Sequence, residues 1–246
     1  MKINSITINF WYKELLDSPS NKVFELEDNL NSLLHNHFMY SDMPSKENID
    51  IPRVQCISDD KKIYFTMSLV SATLTINVSE MDKDDIVLFV NENIQLLYDV
   101  LKDLYNLEII YSSIKLEATK QDNKVIDKLI NKLSLGKDDY EDLSFKEVKK
   151  VDDTYYECIV LNSSKEINFD IQVPVENPKE NDLYTRSMLI STSEAKVGKV
   201  LLTVNYEIND RLSYNNDKDY LSTKESIRGL IIELKDFVEK RLNKLL

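Results

Sequence analysis

The residues with the most chemical reach are few. Both histidines, His35 and His37, fall in the stretch SLLHNHF, one residue apart. Paired histidines are a common start for a zinc site or for acid–base chemistry. Their spacing argues against a shared role. Val23, Leu26, Leu30 and Leu34 recur upstream at helical period, and His37 continues the stripe. In a helix, residues two apart point about 200° apart and cannot grip one ion. Cys56 and Cys158 are too few for a disulfide framework. Neither lies in a catalytic signature, and a reactive thiol needs a nearby cation or histidine. They read as small buried hydrophobes.

The acidic clusters MDKDD (81–85), KDDYED (137–142), VDD (151–153) and NNDKD (215–219) all lack the glycine of an EF-hand calcium loop. EVK (147–149) and ELK (233–235) have the spacing of a nuclease carboxylate–lysine pair, but both read as helical. No G-x-S-x-G occurs. With 3 glycines in the chain, neither GxGxxG nor GxxxxGK[ST] can be written. Phosphate-cradling loops need close backbone approach and positive φ, so those readings fall away. No catalytic, metal-binding or cofactor-binding residue is assigned, and no cofactor is expected.

The elements that would position any site are clearer. INSITINFWY puts Ile6, Ile8, Phe10 and Tyr12 on one strand face. A helix follows over the 23–38 stripe. RVQCIS, the turn DDKK and IYFTM read as a hairpin, and ATLTINV as a third strand. Ile86, Val90, Ile94, Leu97, Leu101 and Leu104 mark a long helix, with Asp82, Asp84 and Asp85 at its favourable start. The order then recurs. LEIIYSSIKLEA is a strand, and a short helix runs from Val125 to Gly136. DDYEDLSFKEVKK adds helical turns. YYECIVL, the turn NSSK and EINFDIQV form a second hairpin, and VLLTVNYEI is a strand. The last helix, with Ser222 and Glu225 as a capping box, carries Ile227, Leu230, Ile231, Leu234 and Val238.

Both halves therefore read β-α-β-β-β-α. The fold class is α+β: two repeats, 1–106 and 107–246, forming antiparallel sheet with long covering helices and a pseudo-twofold axis. The second repeat carries an insertion, 174–198. CISDDKKIYF (56–65) aligns with VLNSSKEINF (160–169) through Ile57/Leu161, Lys61/Lys165, Ile63/Ile167 and Phe65/Phe169. That alignment places both cysteines on the same face of equivalent strands. A groove at the pseudo-axis is the natural ligand site.

The block PRVQCISDDKKIYFTMS…ATLTINV and the closing LTVNYEIND…IIELKDFVEKRL resemble a sporadically distributed, functionally uncharacterised bacterial family of about this length. The resemblance implies a duplicated α+β fold in a bacterial cytoplasmic protein, carried on phage, mobile or defence loci. The strand-rich halves are also similar to export-chaperone-like sheets that hold unfolded peptide.

A net charge of −12 opposes phosphate-backbone binding and suits a basic protein partner. No run of eighteen apolar residues offers a membrane span. MKINSITINFWYK lacks the basic-then-apolar order of a secretion signal, so a cytoplasmic location is expected. These features point to a non-enzymatic module binding a basic or unfolded protein, as an inhibitor, antitoxin or chaperone-like protein. Nucleic acid and membrane are not expected partners. Tyr155 on its strand, with Tyr184 and Arg186 in the insertion, are the candidate partner-binding residues. Two alternatives stand beside this reading. One is a hydrolase with a non-local site between the halves, using His35 or His37. The other is an acidic nucleic-acid mimic that blocks a DNA-binding protein.

Overall fold

Alternating apolar and polar residues make β1 (Lys2–Tyr12) a strand, and Ile6, Ile8, Phe10 and Tyr12 are buried along one side of it. The computed structural model describes residues 1–17, 19–34, 38–40, 48–121, 124–132, 143–169 and 195–245. β1 pairs antiparallel with β5 (Ser71–Asn77) on one side and β6 (Ile109–Gln121) on the other. The other strands are β2 (Met39–Tyr40), β3 (Val54–Ile57), β4 (Ile63–Met67), β7 (Leu143–Val151), β8 (Tyr155–Phe169) and β9 (Ala195–Asn209). Together they form a single sheet in the order β2-β3-β4-β5-β1-β6-β9-β8-β7. The fold is α+β, with one large antiparallel sheet and several helices.

A 3₁₀ turn (Pro19–Lys22) leads into α1 (Val23–Leu34). α2 spans Lys83–Tyr105, α3 Val125–Lys132, α4 Arg211–Asn216 and α5 Lys224–Asp236. A π turn (Phe237–Arg241) continues α5. The chain divides into two compact units. The larger holds 1–119, 145–161 and 203–245; the smaller holds 120–144 and 162–202. In the smaller unit, Ser163 Oγ accepts the Leu143 N–H at 2.8 Å, and Ser144 Oγ donates to Asn162 Oδ1 at 2.7 Å.

In the larger unit, α1, α2 and α5 pack on the apolar sheet face. Leu26, Leu30 and Leu34 of α1 and Ile94, Leu97 and Leu101 of α2 are fully buried. The Phe10 and Tyr98 rings lie 6.1 Å apart, and Tyr206 of β9 stacks on Phe237 at 3.8 Å.

Several sequence expectations are corrected. Residues 143–151 are strand β7, not helical turns, so EVK lies on a strand. β8 runs unbroken through NSSK, and the hairpin turn falls at Asp152–Asp153 instead. Both aspartates have positive φ, 49° and 52°, the requirement of a two-residue type I′ hairpin. The 56–65 over 160–169 alignment therefore sets a hairpin against the interior of one strand. Its cysteine corollary fails too: Cys56 is fully buried with the core, whereas the neighbours of Cys158, Glu157 and Ile159, take the buried side of β8. The cap of α5 is Thr223 with Ser226, one residue beyond the expected pair. Ser222 is otherwise engaged, donating to buried Asp210 at 2.7 Å. The helix end expected at Gly136 lies outside the described residues, as do His35 and His37. With so little glycine, left-handed backbone falls on Asn48, Lys61 and Asn106, and Asn106 closes α2.

Glu157 of β8 is 1% exposed and meets Arg241 Nη2 at 2.5 Å, Lys149 Nζ at 3.0 Å and the Tyr206 hydroxyl at 3.4 Å. Burial raises its pKa, but the hydrogen bonds and charges of Arg241 and Lys149 outweigh that and hold it below the usual range. A depressed carboxylate contributes stability above its unfolded pKa of ~4.3 and loses it as pH falls through the folded value. Urea titrations at pH 7 and in the acid range should show this loss. Glu157→Gln should cost about 2 kcal/mol at pH 7 and flatten the acid limb.

Candidate functional site

The sheet face opposite the helices is the feature that stands out. Over β3, β4, β5 and β1 the positions turned to this face are Gln55 and Ile57 of β3, Tyr64 and Thr66 of β4, Ser71, Thr73, Thr75 and Asn77 of β5, and Lys2, Ser5, Thr7, Asn9 and Trp11 of β1, of which Asn9 is itself buried. Apart from Lys2 at the start of β1, none is charged, in a chain that is 30% charged. Cross-strand register places them in rows: Thr66 opposite Thr73 opposite Asn9, and Tyr64 opposite Thr75 opposite Thr7. Short polar side chains bond along the rows. Thr73 Oγ1 donates to Asn9 Oδ1 at 2.9 Å, Asn9 Nδ2 donates to Ser113 Oγ at 3.2 Å, and Thr7 and Thr75 hydroxyls lie 3.2 Å apart.

One margin is aromatic. Trp11 and Tyr111 are opposite in register and stack at 4.3 Å, with Tyr214 of α4 beyond, 6.5 Å from Tyr111. Arg211 lies 5.7 Å over Tyr111, and Lys218 lies 4.2 Å over Tyr214. Charge appears on the adjoining strands β6 and β9, with Lys115 opposite Thr7 and Glu117 opposite Ser5. There a depression of about 210 Å³ is lined by Ser5, Thr7, Lys115, Glu117, Cys158 and Glu207 among others. Lys115 and Glu207 pair at 3.8 Å.

The chemistry available is recognition. Burial raises the Cys158 thiol, with Lys146 opposing. Burial, with Glu27 and Asp59, pushes the Cys56 thiol up to about 11. Both are thiols at neutral pH, not primed nucleophiles. Among the described residues, no group of three His, Cys, Asp or Glu is placed to hold a metal ion. EVK now has its strand, but Lys149 is engaged by Glu157. Asp210, fully buried, is a structural hub. Its Oδ1 accepts the Ser112 N–H at 2.6 Å, and its Oδ2 accepts the Tyr220 and Ser222 hydroxyls at 2.9 and 2.7 Å. Burial raises its pKa, against those hydrogen bonds. Among the described residues, no helix is long and apolar enough to cross a membrane.

Of the three partner-binding candidates, Tyr184 and Arg186 lie outside the described residues. Tyr155 is half-buried on the helix side, its hydroxyl donating to the Ser226 carbonyl at 3.1 Å and its pKa pushed up to about 12 by burial. Sequence reading did not single out Trp11, Tyr111 or Tyr214, which lie far apart in the chain. The signal for the open face was an absence: after Lys2, the outward positions of the first four core strands lack charge.

Tyr155 lies over Gly229 of α5. A β-carbon there would overlap Tyr155 Oη and fall 2.7 Å from Cζ. Gly229→Ala, which should gain about 1 kcal/mol from helix propensity, should instead lower the urea midpoint, with a net loss of about 1–2 kcal/mol from overpacking. Compared with known proteins, the chain matches no family model and no curated protein.

Proposed function

We propose that this chain is a non-enzymatic protein-binding module that holds an extended or unfolded polypeptide segment on the open face of its sheet. The observation that carries the reading is the patch over β3, β4, β5 and β1, which is uncharged beyond Lys2. An extended segment presents backbone N–H and C=O groups, and Ser, Thr, Asn and Gln offer both donors and acceptors to them. Ionised side chains on such a face would have to be desolvated on contact, at a cost of several kcal/mol per ion. Aromatic rings at the margin add contact area of the kind that dominates interfaces. An inhibitor, antitoxin or chaperone-like role in a bacterial cytoplasm fits this use. The hydrolase alternative has no described residue in its favour, and a nucleic-acid mimic needs rows of acid that this face lacks.

The duplicated reading is part of the proposal. Its support is the strand order, which runs β1-β5-β4-β3 outward from the centre on one side and β6-β9-β8-β7 on the other. On that basis β1 corresponds to β6, β5 to β9, β4 to β8, β3 to β7, and α2 to α5.

Trp11, the chain's one tryptophan, stands on this face and reports on it. Titration with a permanently unfolded, tryptophan-free polypeptide should change its fluorescence saturably. Thr66→Lys combined with Thr73→Glu places an ion pair across two paired strands, charging the face without charging the chain. This double variant loses the Thr73–Asn9 hydrogen bond, so it should melt a few degrees lower yet stay folded at the assay temperature, and bind at least about tenfold more weakly, a loss of 1.4 kcal/mol. An unchanged Trp11 signal with no co-migrating polypeptide would remove the proposal.

A further inference from the structure

A second surface opens in the larger unit where α1 stops. α1 has 12 residues and α2 has 23, about 18 and 34 Å of helix. The start of α1 lies beside the end of α2, for Lys22 Nζ donates to the Leu104 carbonyl at 2.5 Å. The last turn of α1 thus reaches the middle of α2, and a cleft of about 600 Å³ lies there. That size is ordinary for a ligand site, and the lining combines an apolar floor and wall with a polar rim.

The floor is apolar. Leu33, Ile63 and Ile76 are buried beneath it, with Phe89 and Leu96 of α2 as a wall. The rim is acidic, carrying Asp60, Glu80 and Glu92. Lys62, the cation among the lining residues, is engaged by Glu80 at 2.8 Å. Asp60 accepts the Ser58 hydroxyl at 2.6 Å and the Lys62 N–H at 3.0 Å, which fixes its carboxylate at the mouth. Among the described residues the three rim carboxylates exceed the lining lysine, Lys62, and Lys2, whose charge also acts on Glu80, in a chain of net charge −12.

We propose that this cleft takes an anchor of the polypeptide partner: a bulky apolar side chain seated against Leu33, Ile63 and Phe89, adjacent in sequence to a lysine or arginine that meets Glu92 and Asp60. The inference rests on the protein-binding reading and names the chemistry of the partner. The floor selects the apolar group, and the rim attracts a basic neighbour and rejects an acidic one.

The test is fluorescence anisotropy with a short labelled peptide carrying adjacent leucine and arginine residues. Two control peptides replace arginine by glutamate or leucine by serine. Each is titrated against wild type, Glu92→Lys, Phe89→Ala and the open-face Thr66→Lys/Thr73→Glu variant, with melting curves to confirm folding. The Leu–Arg peptide should bind wild type, and each peptide change and each cleft substitution should weaken it about tenfold. Glu92→Lys should also remove much of the salt dependence, and the open-face variant should bind as wild type does. Equal binding by both cleft variants, or equal binding of the glutamate peptide, would overturn the assignment. So would a simple alkylamine that competes as well as the peptide, which would make this a small-molecule site. If no peptide binds wild type while the Trp11 signal still responds to unfolded polypeptide, the cleft assignment fails and the open-face reading stands. If the peptide binds through the cleft while Trp11 stays silent, the reverse holds.

Discussion

Each core strand of the larger unit buries one row of side chains, because the helices pack on one face of the sheet. Side chains alternate along a strand, so a slip of one residue would exchange the Ile6–Ile8–Phe10 row for the Ser5–Thr7–Asn9 row. Register is therefore held by the core. The consequence reaches the surface, since the same constraint fixes which residues make up the open face. Folding demands only that those positions tolerate water. Lysine and glutamate would satisfy that demand, and both are abundant elsewhere in the chain. Beyond Lys2 they are absent from the open positions of β3, β4, β5 and β1, and burial explains this at Asn9 alone, which is why the uncharged patch carries the functional reading.

The helix layer is tied to the sheet by buried polar groups as well as by apolar contact. Asp210 gathers the Ser112 amide of β6 and the Tyr220 and Ser222 hydroxyls ahead of α5, and Tyr98 of α2 donates to the Ser222 carbonyl at 3.1 Å. Glu157 does similar work at the far end of α5, where the π turn brings Arg241 onto it. Such networks add less net energy than their contacts imply, because each buried charge is desolvated. Their effect is on geometry: each donor leaves the helix little choice of position along the sheet. The α2 and α5 axes are thereby set, and the Phe89–Leu96 wall of the cleft follows α2.

Much of this was legible in the sequence where apolar periodicity was long. β1, α2 and the closing helix follow directly from their stripes, and the DDKK turn between β3 and β4 lies where its polar run places it. The second hairpin was misplaced for a local reason. NSSK looks like a turn, while Asp152–Asp153 lacks the glycine that normally marks a two-residue turn, although both residues adopt its positive φ. That single misplacement turned β7 into a helix on paper and placed the two cysteines on one face. The cleft and the aromatic margin were not legible. Ser32, Lys62, Glu80 and Glu92 meet through tertiary packing, and Trp11, Tyr111 and Tyr214 meet across strands and a helix.

The two surfaces divide the electrostatics of the chain between them. A strongly acidic protein draws cationic segments from a distance, and exposed charge of this kind is screened within about 8–10 Å at ordinary salt. The acidic cleft mouth lies in that regime, so contact there is fast to form and weakened by salt. The open face carries little charge over β3, β4, β5 and β1, so contact there would depend mainly on hydrogen bonds and ring packing and would respond less to salt. A partner that used both would be steered by its basic residues and retained by its backbone. Asn77 both lines the cleft and ends the open row of β5, so a partner engaging both surfaces would pass round that end of the strands. A compact basic domain could reach the cleft alone.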